Sequence, residues 1–432
     1  MARMFPTFTC AALLAVALSV GTLADAPKPG PSAEPKSPDQ PGLPRDLYAA
    51  SVPADNAQTP EKVALGKTLF FDTRLSADNS TACVTCHKPD LGFTDQLAIS
   101  KGIRDQHGQR NAPTVLNAMF NVTQFWDGRA PSLEEQAKLP ILNPVEMGQK
   151  APEDVVTKLD GIPEYKDAFQ KVFTRAPNYE DMAKAIAAYE RTQVTFDTPF
   201  DRFMAGDSKA IDASARRGWT IYNGKGRCMT CHAVNPTSPM FTDNLFHNIG
   251  VSAHKSDFVQ LARKSLTLLQ EGDTKQIDEL ALQTDMSELG RFLVTKRNAD
   301  IGAFKTPGLR NILLTHPYFH DGSHDTLWDT IDHYNKGGVQ NPFLDGGIQR
   351  LGLTEPEIDD LVAFLASLTS DQYAAAAKKE FARQKALSRT KRPQRDTAAA
   401  LGTDAKGPGL KGPFGNVAPN PTEEDPALIG GR

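Results

Sequence analysis

Two five-residue frames, CVTCH at 83–87 and CMTCH at 228–232, constrain this chain more than any other feature, and they use four of its five cysteines. Each frame sets two thiols three positions apart, one helical turn, with a histidine directly after the second. Disulfides are one outcome for cysteines in an oxidising compartment, and two Cys-x-x-Cys pairs can also form a four-thiolate zinc site. Neither outcome employs the histidines, and the two pairs lie far apart in the chain. The frame is the attachment signature of c-type haem: the thiols add to the vinyl groups and the adjacent histidine supplies an axial nitrogen. Cys83, Cys86 and His87 are therefore expected to hold one haem, and Cys228, Cys231 and His232 a second.

The ends of the chain fix the compartment. The N-terminus reads MARMFPTFTCAALLAVALSVGTLADAPK, an arginine followed by an apolar run and small residues up to Ala24. That is the layout of a cleavable secretory signal, and the run is too short to span a bilayer. Residues 1–24 are read as the signal, which takes Cys10 with it, and the mature protein as periplasmic, with no membrane span after cleavage. Lysine and arginine total 48 against 52 acidic residues, a formal net charge of -4, so no polyanion-binding surface is expected and nucleic acid is not a partner.

With 432 residues, 40% of them hydrophobic, the chain can bury a core for roughly two or three domains. Residues 25–57 are rich in proline and small polar residues and read as a flexible leader. Residues 58–205 are expected to form a first haem domain and 206–372 a second. From 373 to 432 the chain reads as a disordered tail, although its alanine- and lysine-rich start has helical composition. Between the ends helical signals dominate. SLEE at 132–135 and TEPE at 354–357 have the form of capping boxes. NYEDMAKAIAAYERTQ (178–193) and EIDDLVAFLASLT (357–369) carry apolar residues at helical spacing. LGKTLFFD ahead of the first frame and RGWTIYNG ahead of the second echo each other, which suggests a duplicated module. No extended β alternation appears, so the fold class is mainly α: two cytochrome c-like haem domains packed against each other, with few strands.

Several stretches together resemble one family. LGKTLFFDTRLSADNSTACVTCHKPDLGFTD, RNAPTVLNAMFNVTQFWDGRAPSLEEQA, NPVEM and KTPGLRNILLTHPYFHDGSHDTLWDTI agree in order and spacing with the bacterial di-haem cytochrome c peroxidases, a family that includes the MauG branch. The resemblance runs from about residue 58 to 370. It implies that peroxide reacts at the haem on His87 and that the haem on His232 relays electrons. Trp126, in QFWDGRA, matches a tryptophan between the haems. Glu146, in NPVEM, matches an acid-base glutamate, and peroxide cleavage asks for such a group, since one oxygen must lose a proton and the other gain one. Gln136 matches a second polar residue of that pocket. Calcium, a hard cation suited to oxygen ligands, is implied at the Asn111 side chain and the backbone carbonyls of Thr315 and Pro317.

Two positions depart from the reductively activated peroxidases. Their distal histidine falls eight residues before the asparagine of the N-A-P-T motif, which here is Ile103, and isoleucine cannot ligate iron. His107, four residues on, reads as an exposed loop residue. The reactive haem is therefore expected to be open to peroxide without prior reduction. Fourteen residues after His320 of YFHDG, where the standard branch has an axial methionine, stands Tyr334, the MauG pattern. An anionic phenolate favours ferric iron and lowers the reduction potential. His333 and Met286 remain competing ligands, the latter in an insertion at about 255–290.

The function expected is a peroxidase that takes electrons from a small cytochrome, a copper protein or a protein substrate. The alternatives are a reductively activated cytochrome c peroxidase, a di-haem electron carrier without peroxide chemistry, and a redox sensor. Trp219 and Trp328 are candidate exits for oxidising equivalents or core residues. Oligomeric state leaves no motif.

Overall fold

Two glycines decide where the main helices cross. In the structure, a computed structural model that describes residues 40, 42–235, 237–255, 257–277 and 285–391, helix Pro60–Phe71 crosses helix Tyr179–Glu190 at Gly66. A Cβ there would collide with the Ala185 carbonyl oxygen. Helix Ala213–Asn223 crosses helix Glu355–Ala366 at Gly218, where a Cβ would collide with the carbonyl of Asp360. Only a residue without a side chain lets two helix backbones approach this closely. Each glycine belongs to the echoed stretch ahead of one Cys-x-x-Cys-His frame, so each frame hangs from one crossing.

The apolar faces of those helices bury two separate clusters. Leu69, Phe70, Phe169, Ile186 and Tyr189 lie in the first, and Tyr222, Phe241, Leu327, Ile358 and Phe364 in the second. Burying one such side chain stabilises by about 1.5–3 kcal/mol. A third cluster, with Phe120, Val194, Phe196 and Met240, draws on residues from both sides of the sequence midpoint. The described residues fall within one compact unit, Ala33–Arg432.

The capping signals are legible in the helix starts. Ser132 caps helix Leu133–Leu142 by accepting the Glu135 N–H at 3.2 Å. Thr354 and Glu357 form the complete reciprocal box. Strand content among the described residues is one antiparallel pair, Phe246–His247 with Phe304–Lys305, so the mainly helical expectation holds.

The duplication extends further than the helices, into the loops. NAPTVLN (111–117) matches KTPGLRN (305–311), and QFWDG (124–128) matches YFHDG (318–322). Asn117 and Asn311 both take left-handed φ, 60° and 59°, as do Phe125 and Phe319, at 66° and 70°. Asparagine tolerates that region; phenylalanine rarely enters it. Both asparagines reach the same residue: Asn117 donates to the Thr195 carbonyl at 3.0 Å and Asn311 to its Oγ1 at 2.5 Å.

Two expectations about the ends need correction. The leader expected to be flexible as far as 57 is packed from about residue 40: Leu43 is buried, Gln40 accepts the Phe196 N–H at 3.0 Å, and Asn56 donates to Glu134 at 2.6 Å. The tail expected to be disordered from 373 instead starts with helix Ala374–Lys391. Its docking face mixes Phe381, against Trp328 at 5.5 Å, with the buried polar residues Glu380, Gln384 and Ser388. Gln384 is fully buried, accepts the Leu327 N–H at 2.8 Å and donates to the Tyr318 hydroxyl at 2.9 Å. The signal segment with Cys10, most of the leader and residues from 392 onward lie outside the described residues. No helix among the described residues is long and apolar enough to cross a membrane.

Candidate haem sites and the cavity between the repeats

The frames fold as the spacing demands. Cys83–Cys86 forms one helical turn and Cys228–Thr230 a tighter 3₁₀ turn. The four cysteines stand as free thiols. His87 Nδ1 faces the Phe93 carbonyl at 3.2 Å, and His232 Nδ1 faces the Phe241 carbonyl at 2.9 Å. Phe93 and Phe241 share the same left-handed φ of 58°, which turns each carbonyl back onto its histidine. A carbonyl can only accept, so each Nδ1 carries the proton and each Nε2 presents a lone pair. Burial lowers the pKa of both imidazoles and keeps them neutral. Neutral imidazoles with a free Nε2, each beside two unpaired thiols, fit c-type haem at both frames.

On the first side, the loop bearing Ile103 is zipped to NPVEM. The Ile103 N–H donates to the Glu146 carbonyl at 2.9 Å, and Ile103 is fully buried. His107 is exposed and pairs across the loop with Lys101, as a loop residue would. Glu146 itself accepts from Asn143 at 2.7 Å. Burial raises its pKa above the ordinary carboxyl range, against the opposing pull of Arg129 and Asn143. The loop bearing Ile103 also reaches the frame, where the Cys86 thiol donates to the Lys101 carbonyl at 3.8 Å. Gln136 is half-buried on helix Leu133–Leu142 and its side chain is not bonded to Glu146.

On the second side, a cavity of about 260 Å³ is lined by Cys228, Cys231, His232 and Tyr334, and also by Trp126 and His320. Tyr334 thus shares the wall of the frame. Burial pushes its phenol up, with the two thiols adding to the effect, so a cation at that oxygen would have to displace the proton. His333 turns elsewhere and donates from Nε2 to the Ile249 carbonyl at 2.8 Å. Met286 is buried in a different apolar cluster, with Phe258 and Phe292, and neither it nor His333 lines the cavity. Trp328 is buried and Trp219 half-buried, stacked on Tyr222 at 5.6 Å.

Asn111, Thr315 and Pro317 line this same cavity. The Asn111 amide nitrogen donates to the Leu97 carbonyl at 2.8 Å, leaving its oxygen as the available ligand atom. Among the described residues no N–H or O–H donates to that oxygen or to the carbonyls of Thr315 and Pro317. Trp126 donates from Nε1 to the Asn111 carbonyl at 2.9 Å.

The di-haem cytochrome c peroxidase family model matches residues 60–209. Cytochrome-c peroxidase IdrP1 of Denitromonas iodatirespirans is 40% identical over 326 residues, 75% of this chain and 85% of its own. The chain belongs to the di-haem cytochrome c peroxidase family. Methylamine utilization protein MauG of Methylorubrum extorquens is 38% identical, across 74% of this chain and 82% of its own. Among solved structures, a MauG-like protein associated with microbial copper homeostasis superposes with a TM-score of 0.62 at 28% identity, over 74% of this chain and 92% of that one. The protein is thus a di-haem c-type peroxidase, an oxidoreductase whose chemistry uses two haem groups, hydrogen peroxide and an electron donor. Peroxidase and MauG relatives stand at nearly equal identity, so overall likeness does not choose between the branches.

Reading the sequence missed four groups in this di-haem peroxidase. Glu288, from the insertion, accepts from His320 Nε2 at 2.8 Å, both side chains buried, while Phe304 stacks on the imidazole at 3.6 Å. Glu190 is buried on the first side, and burial pushes its carboxyl up to about 8. His247 stands between Asp345 at 2.7 Å and Asp243 at 2.9 Å. Cys231, Asp243 and His247 are close enough to hold a metal ion, but Cys231 belongs to the haem frame. Lys305 is the fourth. The matched loops were the available signal, since QFWDG and YFHDG are visible in the sequence; Glu288 and Glu190 carry none.

Proposed function

We propose that peroxide is reduced at the haem on His87, that electrons arrive through the haem on His232, and that Tyr334 would supply the latter with a second protein ligand. The observation that carries the ligand assignment is the cavity wall: Tyr334 stands on it with Cys228, Cys231 and His232, while His333 is spent on Ile249 and Met286 is buried elsewhere. Bound haem supplies one iron centre that takes two electrons to peroxide and a second that passes electrons singly. The rest falls to side chains. Glu146 would take a proton from one oxygen of peroxide and return it to the leaving oxygen, a role suited to a carboxyl whose pKa is raised. Gln136 orients peroxide or water. Ile103 leaves the first site open, so no prior reduction is needed.

Trp126 carries electrons between the sites, and calcium at Asn111, Thr315 and Pro317 holds that junction. Residues 58–205 and 206–372 act as the two haem domains. The mature protein works in the periplasm after loss of residues 1–24, and the donor is a small cytochrome, a copper protein or a protein substrate. The deciding test is electron paramagnetic resonance of the resting ferric protein, followed by stoichiometric peroxide. One high-spin and one low-spin signal with a fast spectral change is the expected result. Two low-spin signals with no reaction would leave an electron carrier or a reductively activated enzyme.

A further inference from the structure

We propose that the Lys305 ammonium is the anion-binding group of the cavity beside His232 and pairs with a propionate carboxylate of the haem held there. The inference rests on the haem reading above and concerns a residue that reading does not use. Lys305 is 8% exposed, and among the described residues nothing pairs with its Nζ. It stands on the wall of the cavity, and that wall contains no aspartate and no glutamate.

The other cations on the wall are either held by carboxylates or open to solvent. Arg310 is clamped by both Asp201 oxygens at 2.8 Å and donates to the Pro239 carbonyl at 2.7 Å. Arg227 donates to the Gln349 amide oxygen at 2.9 Å. His247 is held by Asp345 at 2.7 Å and Asp243 at 2.9 Å, and Arg227 is exposed to solvent, so among the described residues of the wall Lys305 is the buried cation whose charge no anion opposes. An isolated ammonium removed from water costs several kcal/mol unless an anion meets it. Burial alone, with no opposing charge, pushes Lys305 down to about 8. A fold that keeps a lysine in such a place is complete only with an anion beside it, and the carboxylates of a haem are the anions that a covalently held cofactor brings.

The backbone of Lys305 is fixed for this. It pairs with Phe246 across the short strands and donates its N–H to the Trp126 carbonyl at 2.8 Å. The residue that holds the cofactor carboxylate is therefore bonded directly to the tryptophan between the sites. Lys305 also takes, in the second repeat, the place that Asn111 takes in the first. The two copies have diverged to a cation in one and a neutral amide in the other.

An ammonium at the propionate offsets its negative charge, which otherwise favours ferric iron. The experiment uses the holoenzyme and its variants K305M, K305Q and K305R. Haem per chain is measured first from the pyridine haemochrome spectrum, and both reduction potentials then by spectroelectrochemistry at fixed pH. Two haems in each protein, a lower potential at the His232 haem alone in K305M and K305Q, and a near-native value in K305R are expected. Fewer than two haems in the unmutated protein would overturn the site reading and the inference with it. Two haems with potentials unchanged in K305Q, or with both potentials moved equally, would overturn the inference alone. If K305M does not load both haems, K305Q and K305R decide.

Discussion

Trp126 and His320 hold the same place in two copies of one loop, and each gives its backbone carbonyl to the partner motif of the other copy. Trp126 accepts the Lys305 N–H at 2.8 Å, and His320 accepts the Asn111 N–H at 2.7 Å. The exchange makes a pseudo-twofold junction in which only the side chains differ. On one side an indole bonds to Asn111; on the other an imidazole bonds to the buried Glu288. An inserted segment has thus been used to supply a carboxylate to the copy that lacks the tryptophan.

Replacing Tyr334 with methionine is expected to raise the potential of the haem on His232, because a neutral thioether takes the place of an anionic donor. Reaction with peroxide at the other site should survive. Spectroelectrochemical titration of Y334M reads the first effect and stopped-flow absorbance the second. A potential identical to that of the parent would remove Tyr334 from the ligand set.

Glu146→Gln should slow the peroxide reaction by about 10²–10⁴-fold without altering haem content. As the base, Glu146 must be ionised. Burial raises its pKa from 4.5, so the parent rate should fall as pH drops through a value above 4.5, and E146Q should lack that limb. Rapid-mixing rates across pH test both statements.

Gly66→Ala and Gly218→Ala should each destabilise the fold by about 1–3 kcal/mol or more, since each new methyl meets a helix carbonyl that cannot move without parting the crossing. Thermal melts of the holoproteins give the measurement. A variant as stable as the parent would mean that the helices cross farther apart than described.

Glu190 gives a pH signature of the opposite kind from a salt-bridged acid. Its pKa is raised by burial from 4.5 to about 8, so the unfolded chain loses this proton first. Stability should decline as pH rises from 4.5 towards 8. Glu190→Gln should flatten that decline and stabilise by roughly 1–3 kcal/mol at pH 7. Denaturant midpoints measured from pH 5 to 8 would show it.

The parts legible in the sequence were those written in local chemistry. The Cys-x-x-Cys-His frames, the caps at Ser132 and Thr354 and the periodic helices at 179–190 and 355–366 depend on neighbours within a few positions. What escaped depends on distant backbone. Gln40 and Asn56 pack because carbonyls and N–H groups near 184 and 194–196 need partners, and helix Ala374–Lys391 docks through the buried Gln384 as much as through its two apolar contacts, Ala377 and Phe381. A buried polar face has no periodic signature, so composition reads it as solvent-exposed. Lys305 escaped for a related reason: a lysine's burial is set by the walls around it.

Thr195, fully buried between Asn117 and Asn311, bears on whether the halves can be separated. A module cut after residue 205 would keep Thr195 and leave the Asn311 NH2 group of the other half without its acceptor, although the Asn311 oxygen would still take the Ser370 N–H; a cut before it would strip both amide atoms of Asn117 of their Thr195 partners. A duplication that began as two self-sufficient copies has come to share a single hydroxyl, and neither half can now be excised with its own corner intact.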